Sequence, residues 1–445
     1  MDQTGLTDAM AEFATQTRLQ DIPEITRRMA ALSLMDWVAV GFAGIDEPVS
    51  QSVIAFARDE KGAGDASVFG DEGRYPARMA ALVNGTVSHA LDYDDTHFLH
   101  VGHPTATAAS ATFAIAERMG ATTDAFLEAF IIAFEAGCRI GDWLGRDHYE
   151  AGFHQTATAG AFGAALGAAR LLGLSHEECR HVLGLVATRA SGLKSQFGTM
   201  AKPFNAGIGA ANGVEAALLV KSGFISNPLG LECEQGFGPT HHGANRELND
   251  VLDGLGRTFV LDQVSHKFHA CCHGIHASIE ALSKLRDRHN VESDGVERIT
   301  LTVNPRWLKV CNKLEPMTGL EAKFSYRLVA AMVLNRIDTS ALYTYTDDIC
   351  RDQSLVHLRD RVEVATDLGV GDSAALVTLT GLNGVKYQES HDLGDPIALD
   401  ERSERLWAKA SGLLGDNHAI SLRAVCDDLE TSRPLPAFFS AGNRQ

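Results

Sequence analysis

The chain predicts a mainly α protein, a large all-helical bundle domain joined to a smaller α+β domain. Three observations carry this. Over residues 1–266 Ala and Gly are dense, β-branched runs are few, and apolar residues recur at helical spacing. Past Lys267 the texture turns to alternating segments such as Val296–Val303. From Glu401 the helical pattern returns. The expected domains are therefore residues 1–266 with 400–445 for the bundle and 267–399 for the α+β part. The bundle becomes discontinuous if the last helices pack back on it.

The elements follow in order. Pro23 precedes an amphipathic helix from Ile25 to Val40, and Pro104 opens one that Gly120 closes after Met119. Thr123–Trp143 and the Ala/Gly-rich Thr156–Leu172 come next, the latter with faces small enough for close helix contact. Ser175-His176-Glu177-Glu178 is a capping box that starts a fifth helix, and Asn205–Lys221 is a sixth. Several of these helices carry little surface polarity, which places them inside the bundle or at a subunit contact. A helix at Gly274–Asn290 leads into the second domain. Its strands are expected at Val296–Val303, Arg361–Ala365, Ala374–Thr380 and Val385–Ser390, with a helix at Phe324–Asn335 between them. Asn383-Gly384 supplies the positive φ angles of a hairpin turn. The chain ends in a polar tail, Ser440–Gln445.

Composition narrows the function. With 445 residues and 45% hydrophobic content the chain can bury a sizeable core. A net charge of −18 argues against a nucleic-acid backbone or an anionic membrane as partner. No apolar stretch approaches the ~20 residues of a membrane span. The first residues lack the basic n-region of a signal peptide and the Arg-rich bias of a transit peptide, so a cytoplasmic protein is expected. The eight cysteines contain no CxxC pair and read as free thiols, adjacent Cys271-Cys272 included.

Histidine concentrates the chemistry. Of 18 histidines, four lie between His89 and His103 (His89, His97, His100, His103) and six between His241 and His276. Such density suggests proton transfer or metal binding, against the plainer reading of surface histidines. Asp92, Asp94 and Asp95 stand beside the first group. They could bind a divalent ion, but the spacing misses the His-x3-His of a zinc helix and no second acidic cluster follows. Alternatively the acids orient and charge-tune the histidines, with His103 just ahead of a helix N-terminus that favours an anion. No acid occurs between Glu178 and Glu215, where Arg180, Arg189, Lys194 and Lys202 stand. Gly254–Ile279 carries only Asp262 against Arg257, Lys267 and four histidines. Clearing carboxylates from two basic segments of an acidic protein suits a pocket for a small polyanion. No GxGxxG after a strand, GxxxxGK[ST] or GxSxG is present, and nothing calls for an organic cofactor.

Five stretches then carry a resemblance. They are Asn84–His97 (NGTVSHALDYDDTH), His103-Pro104-Thr105, Gly152–Gly160 (GFHQTATAG), Met200–Gly207 (MAKPFNAG) and Lys267–His276 (KFHACCHGIH). In this order they resemble the MmgE/PrpD family, which includes 2-methylcitrate dehydratase, cis-aconitate decarboxylase and iminodisuccinate epimerase. The resemblance implies a helical bundle completed by the C-terminal segment, an α+β lid, a homodimer, and a site for a small di- or tricarboxylate between the domains. It implies no metal or organic cofactor. Carried over by motif, Asp92, Thr96, His103, His154, Lys202 and Lys267 would line the site, with His97, His273 and Tyr326 as further substrate contacts.

Removing a proton or CO2 next to a carboxylate builds charge that spreads into that carboxyl group, so ammonium and imidazolium groups are the expected catalysts. His103 and His154 are the proton-transfer candidates. Lys202 and Lys267 would clamp carboxylates, and Asp92 and Thr96 would orient His103. The stretch after Lys267 departs from the lyase pattern where Cys272 replaces a histidine. That departure favours an isomerase that epimerises an iminodicarboxylate such as iminodisuccinate. The alternatives are a hydro-lyase or decarboxylase of a tricarboxylate and, from another class, a non-catalytic polycarboxylate-binding protein.

Overall fold

The computed structural model describes residues 5–60, 62–243 and 246–435; the polar tail Ser440–Gln445 lies outside them. The protein is mainly α, with two small sheets among the described residues. It divides into two compact units. One holds the chain up to His266 together with the chain from Leu406 on, and the other is Lys267–Arg405.

In the first unit the helices are α1 (Leu6–Gln16), α2 (Glu24–Ala43), α3 (Pro48–Glu60), α4 (Ala77–Ser88) and α5 (Pro104–Met119). They continue with α6 (Thr123–Glu150), α7 (Gln155–Leu171), α8 (His176–Ala187) and α9 (Ala201–Lys221), then the short α10 (Phe237–Thr240) and α11 (Leu248–Leu252). The capping box forms as expected, with Ser175 accepting from the Glu178 N–H while Glu178 reaches back to the Ser175 N–H. Gly120 closes α5 in the left-handed conformation. The expected end of α6 at Trp143 is superseded: the element runs on to Glu150 through a break at Gly145, where φ is +76°.

Helix α7 lies against α5, α6, α8 and α9, and 15 of its 17 residues are buried. Small residues make that possible. A Cβ added at Gly163 would stand 2.3 Å from the Ala133 carbonyl oxygen of α6, and one at Gly207 would stand 2.3 Å from the Leu82 oxygen of α4. The Gly-rich start of α9 is thus a close-packing surface. The expectation that this unit is almost entirely helical needs two corrections. Strands β1 (Ala66–Val68) and β2 (Asp71–Tyr75) form a small antiparallel pair around Gly70, at φ +75°. Much of the chain between α9 and His266 is irregular, tied to the bundle by single side chains. Arg139 donates to the carbonyls of Val251, Asp253 and Thr258, and buried Glu135 accepts from the Val260 and Leu261 N–H groups.

The second unit begins with α12 (His273–His289) and β3 (Val296–Val303). Short helices α13 (Gly319–Ala322), α14 (Tyr326–Leu334) and α15 (Gln353–Arg359) precede β4 (Val362–Thr366), β5 (Ala374–Gly381) and β6 (Lys386–Asp392). The sheet order is β4-β3-β5-β6, with β3 parallel to β4 and the other pairs antiparallel. Strand β5 alternates buried with half-exposed residues, and α12 packs on β5 and β6. The β5–β6 hairpin carries one positive φ, at Gly384, not two, and Gly381 and Val385 close the turn. The one-residue bulge relieves Asn383 of the left-handed conformation.

Helix α16 (Leu399–Leu414) carries the chain out of the second unit, and α17 (Asp416–Asp427) follows. Lys409 of α16 pairs with Asp36 of α2 at 2.6 Å, both side chains 2% exposed, and donates to the Tyr93 carbonyl at 2.7 Å. No single helix among the described residues is long and apolar enough to cross a membrane.

Candidate active site

Three helix N-termini of the first unit present their leading residues to one cluster. His103 is the N-cap of α5, with Pro104 in the first turn, and its backbone N–H donates to Thr156 Oγ1 of α7 at 3.0 Å. His154 is the N-cap of α7. Lys202 stands in the first turn of α9, and Asn205 one turn on donates from Nδ2 to His154 Nδ1 at 3.1 Å. Helix N-termini carry partial positive charge and free N–H groups, so the scaffold favours an anion before any side chain is counted.

The acids enter from the turn after α4. Asp92 sits there at φ +52°, a conformation that costs a non-glycine residue energy and that concentrates at functional sites. Its carboxylate pairs with Lys202 Nζ at 2.9 Å and faces His103 Nε2 at 3.5 Å. Asp94, 1% exposed, faces His103 Nδ1 at 3.2 Å and accepts from His89 Nδ1 at 2.9 and 3.0 Å. The His89 and His103 rings lie 4.3 Å apart and the His89 and His154 rings 6.2 Å apart. Asp95 turns away, accepting from the Thr105 hydroxyl at 2.5 Å and tying the turn to α5.

The electrostatics divide the two proton-transfer candidates. Burial alone would raise the Asp94 carboxyl, but His89 and His103 hold it well below the usual range, so it is a carboxylate. His103 has a carboxylate at each ring nitrogen, the arrangement that retains a proton on both. His154 is pushed well below the ordinary value by burial, then by His89, Lys202 and His103. It is a neutral ring, and the Asn205 donor at Nδ1 leaves the proton on Nε2.

His89, Asp92, Asp94 and His103 can bring one ligand atom each within 4.8 Å of one another, close enough to hold a metal ion by distance. The charge there is already met. Lys202 occupies Asp92, and both Asp94 oxygens hold imidazole N–H groups, so a divalent ion would have to break each of these bonds.

Residues 8–247 match the model of the MmgE/PrpD N-terminal domain, and residues 269–414 match that of the MmgE/PrpD C-terminal domain. The chain belongs to the MmgE/PrpD family. It is 30% identical over 323 residues to the cis-aconitate decarboxylase-like protein oryM of Aspergillus oryzae, covering 67% of this chain and 66% of that protein. It is 29% identical to cis-aconitate decarboxylase of Aspergillus terreus over 64% of this chain and 61% of that protein. The chain thus spans a little under two thirds of the length of these fungal relatives. Human cis-aconitate decarboxylase is 27% identical over 94% of this chain and 91% of its own length.

Of the residues expected from the MmgE/PrpD motifs, Asp92, His103, His154 and Lys202 come together in the first unit. Thr96 lies beside them in sequence, and its backbone pairs reciprocally with Ser265. His97 is held inside the first unit. It is 2% exposed, its Nε2 meets the Val260 carbonyl at 2.8 Å, and its Nδ1 accepts from the Leu99 N–H, so both nitrogens are used internally. Tyr326, expected as a substrate contact, is likewise held inside its unit. It is fully buried in the second unit, and its hydroxyl donates to the Gly274 carbonyl at 2.7 Å, which fixes the start of α12.

Lys267 and His273 belong to the second unit, 1% and 8% exposed. The segment between them is held by His269, which meets Thr339 and Glu280, and by Arg405, which pairs with Glu280 and lies 3.9 Å over the Phe268 ring. None of the eight cysteines, all of them described, forms a disulfide; Cys272 and Cys311 bring their sulfurs to 3.4 Å. The sequence pattern gave no role of their own to Thr156 and Asn205, and named His89 and Asp94 only as members of the histidine and acidic clusters. All four lie inside the quoted motifs, but only side-chain direction separates Asp94 from its neighbours Asp92 and Asp95.

Proposed function

We propose that this protein is a carbon–carbon lyase that decarboxylates a small unsaturated tricarboxylate of the cis-aconitate class. The observation that carries the proposal is His103, with a carboxylate at each ring nitrogen, set beside Lys202 at three converging helix N-termini, together with likeness to proteins named for this reaction. The chemistry balances without a further reactant. The bond from the methylene carbon to its carboxylate breaks and releases CO2, and its electron pair forms a new terminal C=C. The old C=C pair moves to the carbon next to the remaining carboxylate, where His103 Nε2 delivers a proton. Negative charge spreads into that carboxylate in the transition state, and Lys202 is placed to meet it once substrate displaces Asp92. Lys267 is proposed as a second cation for the same substrate, on the family resemblance. A homodimer is proposed on the same ground, and light scattering would test it.

One observation favours a second reading. A neutral His154 near a protonated His103 is a base with an acid, the pair that proton abstraction requires, as in epimerisation or dehydration. Proton NMR in D2O separates the readings. With cis-aconitate, decarboxylation places a single deuterium in the product's saturated methylene. With iminodisuccinate isomers, epimerisation places deuterium at the α-carbon and loses stereochemistry. His103→Gln is expected to lower kcat at least 10³-fold in either case, and EDTA is expected to leave turnover unchanged. Full activity of His103→Gln would sink the assignment.

A further inference from the structure

Asp94 joins two imidazoles that proton delivery alone does not require. It meets His89 Nδ1 through both oxygens and His103 Nδ1 through one. An ionised carboxylate only accepts, so each Nδ1 must carry a proton, and the exchangeable position of each ring is Nε2. For His103 that is the atom on the side of Asp92 and Lys202. His89 is 1% exposed, its ring 4.3 Å from His103, and its Nε2 makes no hydrogen bond. A buried histidine with one nitrogen spent on Asp94 and the other idle has no evident use except through Asp94.

We infer that Asp94 and His89 are positioning residues acting through His103: Asp94 fixes which nitrogen of His103 exchanges its proton, and His89 holds Asp94 in place. The inference rests on the proposed role of His103 as proton donor. The charged and titratable groups facing His103 are Asp92 and Asp94 from the turn after α4, His89 at its start, His154 of α7 and Lys202 of α9. Asp94→Asn gives the two rings one acceptor and one donor, so one ring must change tautomer. It also removes the charge that keeps His103 protonated.

The full-length protein tests this in two ways. Asp94→Asn should lower kcat about 10²-fold or more with KM changed less than about threefold, and should move the alkaline limb of the kcat profile down by about one pH unit. His89→Asn keeps a donor at the Nδ1 position and should hold kcat within about fivefold of wild type, whereas His89→Phe should cost tenfold or more. Equal losses in both His89 variants, or a fall in KM affinity alone, would reduce the pair to a structural role. The second readout needs no substrate. In ¹⁵N-histidine spectra, with His103 assigned by its loss in His103→Gln, wild type should show Nδ1 fully protonated and Asp94→Asn should show tautomer mixing. An unchanged His103 signal in Asp94→Asn overturns the inference. If wild-type protein turns over no substrate offered, the proposed function fails while the spectra still decide the relay.

Discussion

At the scale of single residues, burial holds His97 and His148 below the ordinary imidazole range. Burial lowers His97 to about 4 against the opposing pull of the Val260 carbonyl, and lowers His148 to about 4. His148 sits between the His241 carbonyl and the Thr158 hydroxyl. Both folded values lie below the unfolded value near 6.5, so the unfolded chain binds more protons between those limits. The stability they contribute is therefore complete above about pH 6.5 and is lost as pH falls toward 4. Each contributes at most roughly 3 kcal/mol at 1.36 kcal/mol per unit. Urea midpoints at pH 7.5 and pH 5 should differ clearly in wild type. The difference should shrink in His97→Gln, whose amide can still donate to Val260; an unchanged difference would mean that His97 charges without penalty.

Among elements, contact between α6, α7 and α9 decides where the site's leading residues stand. His154 and Lys202 are placed by the axes of α7 and α9, and those axes approach because glycine leaves room. Gly163→Val would drive a side chain into the Ala133 carbonyl and the Gly137 backbone. Overpacking of this kind costs typically 1–3 kcal/mol. The thermal midpoint should fall, and kcat should fall with it because the N-terminus of α7 shifts. Gly120, whose added Cβ meets nothing within 4 Å, is a control for the space argument alone, since its φ of +60° still strains any replacement.

At the scale of the whole molecule, the chain's return to the first unit closes the structure behind the site. Lys409 of α16 neutralises buried Asp36 and holds the carbonyl of Tyr93, the residue between Asp92 and the relay carboxylate Asp94. Its ammonium also lies 3.9 Å from the Tyr93 ring centroid. Lys409→Met removes the ammonium facing buried Asp36, and breaking a buried ion pair in this way costs about 3–5 kcal/mol. Chemical unfolding should report that loss, and activity should drop at temperatures where the variant remains folded. Restoring stability with Asp36→Leu in the same chain, without restoring kcat, would separate the ion pair from support of the turn.

The helices that pattern and capping chemistry announce, such as α5 from Pro104 to Gly120 and α8 behind Ser175, were legible because their signals are local. So were strands Val296–Val303 and Ala374–Thr380, through alternation. The motifs also named Asp92, His103, His154 and Lys202. Local pattern says nothing about side-chain direction, and direction separated Asp94 from Asp95 and used up both nitrogens of His97. Tyr326, named on the resemblance alone and outside the quoted motifs, faces the interior, where a phenol needs an acceptor and the Gly274 carbonyl supplies it. The sequence by itself determined the helical class, the family and the basic, histidine-rich chemistry. Only the tertiary structure decided which nitrogen each carboxylate faces, because that depends on side-chain direction in the turn between α4 and α5, which local pattern does not fix.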